Sequence, residues 1–142
     1  MTSIIQTQEL SYEAAIKMCV AVTQHAHQLG VSVGVVVVTP AGVELASVRM
    51  NNAPLHALSI ARKKAYTAAS FKIPSFNWQE RLKHKPDTMS ALLREENFTY
   101  LGGGIPIIVE GKLFGSIGVS GATEAQDIEC AEHAITEQLN SL

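Results

Sequence analysis

The stretch Val31-Ser32-Val33-Gly34-Val35-Val36-Val37-Val38, followed directly by Thr39-Pro40-Ala41-Gly42, decides the fold of this 142-residue chain. The first segment is rich in β-branched residues, which predicts a central strand buried on both faces. The second segment has turn chemistry, because proline presets φ and glycine permits positive φ. Residues 43–48 then predict the returning strand of a hairpin.

Helical patterns flank this hairpin on both sides. Ser11 is suited to be the N-cap of a first helix, whose apolar residues recur at helical spacing until Gly30 ends it. Pro54 can open a second helix from residue 55 to about 71. Its alanines share one side and would let another backbone approach closely; they are Ala57, Ala61, Ala65 and Ala68.

Two short helices are predicted near residues 75–84 and 86–93. The last third of the chain, after them, contains mainly predicted strands. Residues 98–101, 105–109 and 113–119 predict three further strands, the last two joined by a tight turn. Thr123 and Gln126 then form a capping-box pattern for a closing helix that extends to Leu142.

Connections of hairpin length make the predicted sheet mainly antiparallel. The sequence therefore predicts an α+β fold with a central five-stranded sheet flanked by helices, in a profilin- or PAS-like layout. All of it belongs to a single domain spanning residues 1–142.

Composition limits the classes of partner. Charged residues make up only 17% of the chain, against about 25% in typical soluble domains, which favours a surface partly covered by other subunits. The net charge is −2 with no run of Lys or Arg, which argues against nucleic-acid or membrane-surface binding. Two widely separated cysteines and no visible secretory signal or membrane span indicate a cytoplasmic protein.

Gly102, Gly103 and Gly104 invite a nucleotide-binding interpretation, which their surroundings contradict. Ile107 occupies the position of the third glycine of a dinucleotide fingerprint, and Leu113 replaces the Ser or Thr of a P-loop. Two interpretations stay open. The glycines form a turn between strands, or their N–H groups line a ligand surface.

Histidines supply the candidate metal ligands. His25 lies at the edge of the apolar face of the first helix, where a neutral imidazole could ligate iron or zinc. The alternative is a boundary histidine with a local hydrogen bond. His27, two residues on, diverges from His25 on the helix, so the two cannot chelate one ion. Cys130 and His133 could form only half of a metal site.

Arg49, Lys64 and Tyr66 are candidates for contacts with an anion or a propionate. Lys64 shares a helix face with apolar residues, so its ammonium could extend from a packed side. The alternative is a solvated helix face. Asp127 is expected to serve the N-terminus of the closing helix, where a carboxylate interacts favourably with the dipole.

Five motifs, taken in order, resemble signatures of the GlcG/HbpS family, which also occurs as the C-terminal domain of PduO-type corrinoid adenosyltransferases. They are VVVV at 35–38 before the Pro/Gly turn, ASVRM at 46–50, IARKKAYTAA at 60–69, GGGIPI at 102–107, and GSIGVSG at 115–121 followed by Gln126-Asp127. The resemblance covers roughly residues 8–140. It departs at Asn51-Asn52, where most members have Asp-Gly.

This resemblance implies higher homo-oligomers, often octamers, and haem binding in some members. Other members are encoded beside enzymes of glycolate, propanediol or glycerol metabolism. The adenosyltransferase domain is not matched, so that activity is not carried over. The first hypothesis is a protein that binds haem, or a corrinoid, through His25, with His56 as the second candidate ligand. The alternative is an enzyme or accessory protein whose Arg49 and triple-glycine loop hold a small anionic metabolite.

Overall fold

Nine helices and strands form within residues 2–140, which are the residues that the computed structural model describes. In chain order they are α1 (Tyr12–Leu29), β1 (Gly34–Val38), β2 (Glu44–Arg49), α2 (Ala57–Phe71), α3 (Asn77–Leu82), α4 (Pro86–Leu93), β3 (Gly104–Val109), β4 (Lys112–Ser120) and α5 (Glu124–Leu139). The predicted end of the last helix at Leu142 lies outside the described residues.

The strands form one sheet in the order β2-β1-β4-β3, and every neighbouring pair is antiparallel. The predicted hairpin of β1 and β2 is confirmed, and β3 and β4 form a second hairpin closed by Glu110 and Gly111, both with positive φ. Edge strand β3 contains Pro106 and a register shift between Ile107 and Ile108. The α+β class with an antiparallel sheet is therefore confirmed.

The expected strand at residues 98–101 is wrong, so the described part of the chain has four strands where five were predicted. The backbone of this segment bonds to side chains instead of to a neighbouring strand. The N–H of Thr99 donates to Thr67 Oγ1 at 3.0 Å, and the carbonyl of Leu101 accepts from Ser75 Oγ at 2.6 Å. Because these side chains satisfy its polar groups, the segment needs no strand partner.

The sheet separates two apolar layers. Helices α1 and α5 cover one face, where Met18, Val22 and Val35 belong to the larger core cluster. Helix α2 covers the other face and packs against Val36 and Val38. All five residues of β1 are buried, as its sequence predicted for a central strand.

Helix α2 lies directly on the backbone of the sheet. A Cβ added to Gly118 would overlap the carbonyl oxygen of Ala61, and one added to Gly104 would overlap that of Lys64. The four alanines predicted to share one side of this helix are all fully or almost fully buried. Small residues on both surfaces thus allow an approach that a larger side chain would prevent.

The predicted helix ends are confirmed where capping side chains define them. Ser11 Oγ accepts from the N–H of Ala14 at 3.1 Å, and Gly30 ends α1 with φ of 74°. Thr123 and Gln126 form both bonds of the capping box of α5. No helix within residues 2–140 has the length and apolar character needed to cross a membrane.

Candidate functional site

Several predicted site residues gather at one end of the sheet, which we call the Arg49 end. Gly34 begins β1 opposite Arg49 of β2 and Ser120 of β4. Gly104 begins β3 opposite Gly118, only two residues from Ser120 along β4. The C-terminus of α1, the loop before α2 and the triple glycine therefore lie at this end.

Tyr66 lies elsewhere, toward the turn that joins β1 and β2. Its ring packs on Gly42, because a Cβ at that glycine would come within 2.5 Å of the ring. Tyr66 also borders a groove of about 310 Å³ with Phe71, Phe98 and Glu96. The structure thus separates Tyr66 from the other predicted site residues.

His25 faces α5 and contacts two residues of that helix. Its Nε2 is 2.6 Å from Glu129 Oε2, and its ring stacks on that of His133 with centroids 4.2 Å apart. His133 in turn pairs with Glu137 at 3.0 Å. We call these four residues the His25 clasp, because they join α1 to α5.

The remaining ring nitrogen of His25, Nδ1, is buried and has no hydrogen-bond partner among residues 2–140. A carboxylate behind a histidine is the support that metal-bound histidines usually have. Within residues 2–140, however, no three His, Cys, Asp or Glu side chains are grouped to hold a metal ion.

Lys64 is buried rather than solvated. Its Nζ donates to the carbonyl of Val119 at 2.9 Å and to Asp127 Oδ2 at 3.1 Å, and only 3–4% of either side chain is exposed. Desolvation lowers the pKa of Lys64 and raises that of Asp127, while their mutual attraction opposes both changes. Asp127 also accepts from the N–H of Ala122, as expected for a carboxylate near a helix N-terminus.

The backbone of the triple glycine bonds to side chains of the same protein. The N–H of Gly102 donates to Glu124 Oε1, and that of Gly104 donates to Ser75 Oγ at 2.9 Å. Gly103 has φ of 129°, a conformation that favours glycine. Two of the three N–H groups are therefore engaged within the protein, which favours the turn over a backbone-lined ligand surface.

Arg49 and His56 both lie on the exposed surface of the Arg49 end. An Arg49 Nη2 hydrogen donates to the carbonyl of Ala53 and so braces the loop before α2. His56 precedes α2 at the N-cap position, but its side chain makes no capping hydrogen bond.

A hollow of about 540 Å³ lies on the side of α1 that faces away from the clasp. It is lined by Thr23, Gln24, His27, Gln28 and Met50. His27 is exposed, and Met50 is half-buried at the end of β2. In the sequence, His27 stands out only as the histidine that diverges from His25 on the helix.

Comparisons with known proteins give this fold relatives along nearly its whole length. Residues 10–136 match the family described as "Haem degrading protein HbpS-like". A protein of Citrobacter freundii, described as an uncharacterised 15.0 kDa protein in the dhaT-dhaS intergenic region, is 32% identical over 131 residues, 92% of each chain.

Two solved structures are similar in both sequence and fold. The crystal structure of the Klebsiella pneumoniae protein ORFY has a TM-score of 0.92 at 29% identity, covering 100% of this chain and 98% of that one. The PduOC–haem complex has a TM-score of 0.82 at 30% identity, covering 90% of this chain and 94% of that one. With the match to the family model, these similarities confirm the resemblance inferred from the motifs: the chain belongs to the HbpS-like family.

Proposed function

We propose that this protein binds haem. One observation carries the proposal: a structure solved with haem shares this fold over 90% of the chain at 30% identity. The family description, which refers to haem, supports the same ligand class. Haem is therefore the first tetrapyrrole to test, and a corrinoid is the second.

The residues at the Arg49 end fit haem in donor type. Helix α1 carries two imidazoles, His25 and His27, and imidazole is a common axial ligand of haem iron. The surface beside His27 is open to solvent along α1 and is also lined by Met50. Two glutamine amides there, Gln24 and Gln28, could donate hydrogen bonds to propionates.

Bound haem would supply redox chemistry and an exchangeable iron coordination site, and the protein would supply its binding and orientation. A histidine of α1 would fix the position of the iron. His25 is the histidine of α1 predicted for this role, and His56, which precedes α2, is the second candidate.

A haemin titration followed by absorbance tests the proposal. We expect a saturable Soret shift at a fixed stoichiometry for the native protein. Iron-free protoporphyrin is the matched control, because it keeps the apolar contacts and loses the axial bond. A weak shift that never saturates, or equal affinity for both porphyrins, would contradict a ligated haem site. Cobinamide in a parallel titration tests the corrinoid alternative.

We also propose that the protein forms a homo-oligomer, for which an octamer is the expected form. Tyr12, Ile16 and Val20 repeat every four residues along α1, and 45–61% of each side chain is exposed. A stripe of this kind is typical of a helix that packs against another subunit. Size-exclusion chromatography with light scattering gives the mass directly, and a monomer at micromolar concentration would contradict the proposal.

A cytoplasmic location is part of the same proposal. Cys19 and Cys130 are both free and buried, and free thiols are typical of proteins in a reducing compartment. Fractionation of cells that express the natural protein would test this location.

A further inference from the structure

The groove beside Tyr66 lies between α2 and residues 92–98, and we call it the Tyr66 groove. Its volume of about 310 Å³ is at the small end of the range for ligand sites, about 300–1,000 Å³. We propose that this groove binds a small organic ammonium ion with an apolar body. The proposal is independent of haem binding, because α1, which carries the candidate ligand His25, covers the opposite face of the sheet.

Aromatic side chains form the apolar part of the groove. Tyr66, Phe71 and Phe98 all line it. Phe98 is buried, whereas 39% of Tyr66 and 42% of Phe71 are exposed. The rings of Phe71 and Phe98 meet edge to face with centroids 6.2 Å apart. Because the face of an aromatic ring attracts cations, exposed rings of this kind favour a positively charged ligand with an apolar body.

Carboxylates give the groove its charge. Glu95 and Glu96 line it and are both exposed, and among the residues that the structure describes they are its charged lining. A carboxylate accepts strong hydrogen bonds from an ammonium group, and the hydroxyl of Ser70 adds a further acceptor. The groove therefore favours a cation, which is opposite in sign to the anion predicted for Tyr66 from the sequence.

Hydrogen bonds and packing hold the walls of the groove in place without a ligand. The buried hydroxyl of Thr67 donates to the carbonyl of Asn97 at 3.0 Å and accepts from the N–H of Thr99 at 3.0 Å. These two bonds tie the segment that carries Phe98 to α2. On the other side, the Tyr66 ring packs on Gly42. A site with fixed walls loses less conformational entropy when a ligand binds.

Phenethylamine is a suitable probe, because it joins a primary ammonium group to a phenyl ring. Phenethyl alcohol replaces the ammonium by a neutral hydroxyl on the same skeleton, and hydrocinnamate carries a carboxylate instead. Ligand-observed NMR titrations of the full-length protein measure the three affinities. We expect saturable binding of phenethylamine that is at least about tenfold tighter than the binding of either control compound.

Variants locate the bound probe. Glu95→Gln/Glu96→Gln should weaken phenethylamine binding at least about tenfold and leave the affinity for phenethyl alcohol unchanged. The matched control is Glu110→Gln/Glu132→Gln, which removes the same charge from two exposed residues outside the groove and should keep the native affinity. Tyr66→Ala should weaken binding about threefold or more, whereas Tyr66→Phe keeps the ring and should retain the affinity.

The outcomes distinguish this proposal from haem binding. Equal affinity for the three compounds, equal losses in the two glutamine double variants, or no saturable binding in the millimolar range would overturn the assignment of the groove. Circular dichroism should show unchanged helix content in every variant. An unsaturable haemin titration of the native protein would contradict the proposed function and leave the groove assignment intact.

Discussion

Lys64 of α2 and Asp127 of α5 form an ion pair with 3.1 Å between Nζ and Oδ2, although their helices cover opposite faces of the sheet. The pair lies beside Val119 of β4, and the carbonyl oxygen of Val119 accepts a second hydrogen bond from the Lys64 ammonium. Buried charges of this kind depend on each other, because each would be costly to bury alone.

Breaking this pair on one side should destabilise the protein strongly. We expect Lys64→Met to lower the free energy of unfolding by about 3–5 kcal/mol, because it leaves the Asp127 carboxylate buried without its partner. The double variant Lys64→Met/Asp127→Asn should recover much of the loss, since asparagine still accepts from the N–H of Ala122. Urea denaturation of the three proteins measures both effects.

The exposed pair of Arg62 and Glu44, at 2.7 Å, is the control for that comparison. Its removal by Arg62→Met should cost less than about 1 kcal/mol, because water already solvates both groups. Similar losses for Lys64→Met and Arg62→Met would show that burial does not govern the contribution of the pair.

The glycine contacts beneath α2 make a second prediction. Gly118→Ala should cost about 1–3 kcal/mol or more, because its Cβ would overlap the Ala61 carbonyl and the helix would have to move. Gly111→Ala is the matched control: its turn has open space around it, so only the positive φ opposes alanine, at about 1 kcal/mol. Urea denaturation of both variants measures the difference. Equal shifts of the denaturation midpoint in Gly118→Ala and Gly111→Ala would argue against close packing of α2 on the sheet.

The buried thiols predict a loss of stability at alkaline pH. Desolvation raises the pKa of Cys19 from 9.0 to about 12 and that of Cys130 to about 11. Between these values the unfolded state releases thiol protons that the folded state keeps, so stability falls as pH rises. Each thiol should contribute a slope of about 1.4 kcal/mol per pH unit above pH 9.

Denaturation curves from pH 8 to 10.5 test this slope, and Cys19→Ala should reduce it. A thiol reagent at pH 8 should modify neither cysteine until the protein unfolds, because the thiolate is the reactive form. Rapid labelling of the native protein would contradict the burial of both groups.

The clasp predicts that shape matters more than charge at residue 25. His25→Ala should cost about 1–3 kcal/mol, since it removes the ring that stacks on His133 and the bond to Glu129. His25→Phe should retain most of the stability, because an aromatic ring keeps the stacking and removes the buried unpaired nitrogen. An equal loss in both variants would assign the stabilisation to the Glu129 hydrogen bond instead.

The sequence correctly predicted the helix ends and the strand that depend on residues close together in the chain. Ser11, Gly30 and Thr123 marked helix ends correctly, because caps depend on residues within one turn of the end. The valine-rich β1 was predicted as a buried central strand for a similar reason. The strand predicted at residues 98–101 does not form, because side chains distant in sequence bond to the backbone of this segment.

The contacts of Lys64 and His25 could not be predicted from residue spacing, because their partners are distant in sequence. Lys64 and Asp127 are 63 residues apart, and His25 and Glu129 are 104 apart. Only the packing of α1, α2 and α5 around the sheet brings these groups together. The family motifs indicated the fold and the ligand class, whereas the contacts of His25 with Glu129 and His133 became visible only in the three-dimensional arrangement.

The two irregular features of β3 bear on how this protein behaves when concentrated. An exposed edge strand invites further strands from other molecules, which is the first step of many aggregation reactions. Pro106 has no N–H to offer an incoming strand, and the register shift after Ile107 disturbs the regular spacing of donors and acceptors. The outer edge of β3 is thus a poor template for cross-β growth.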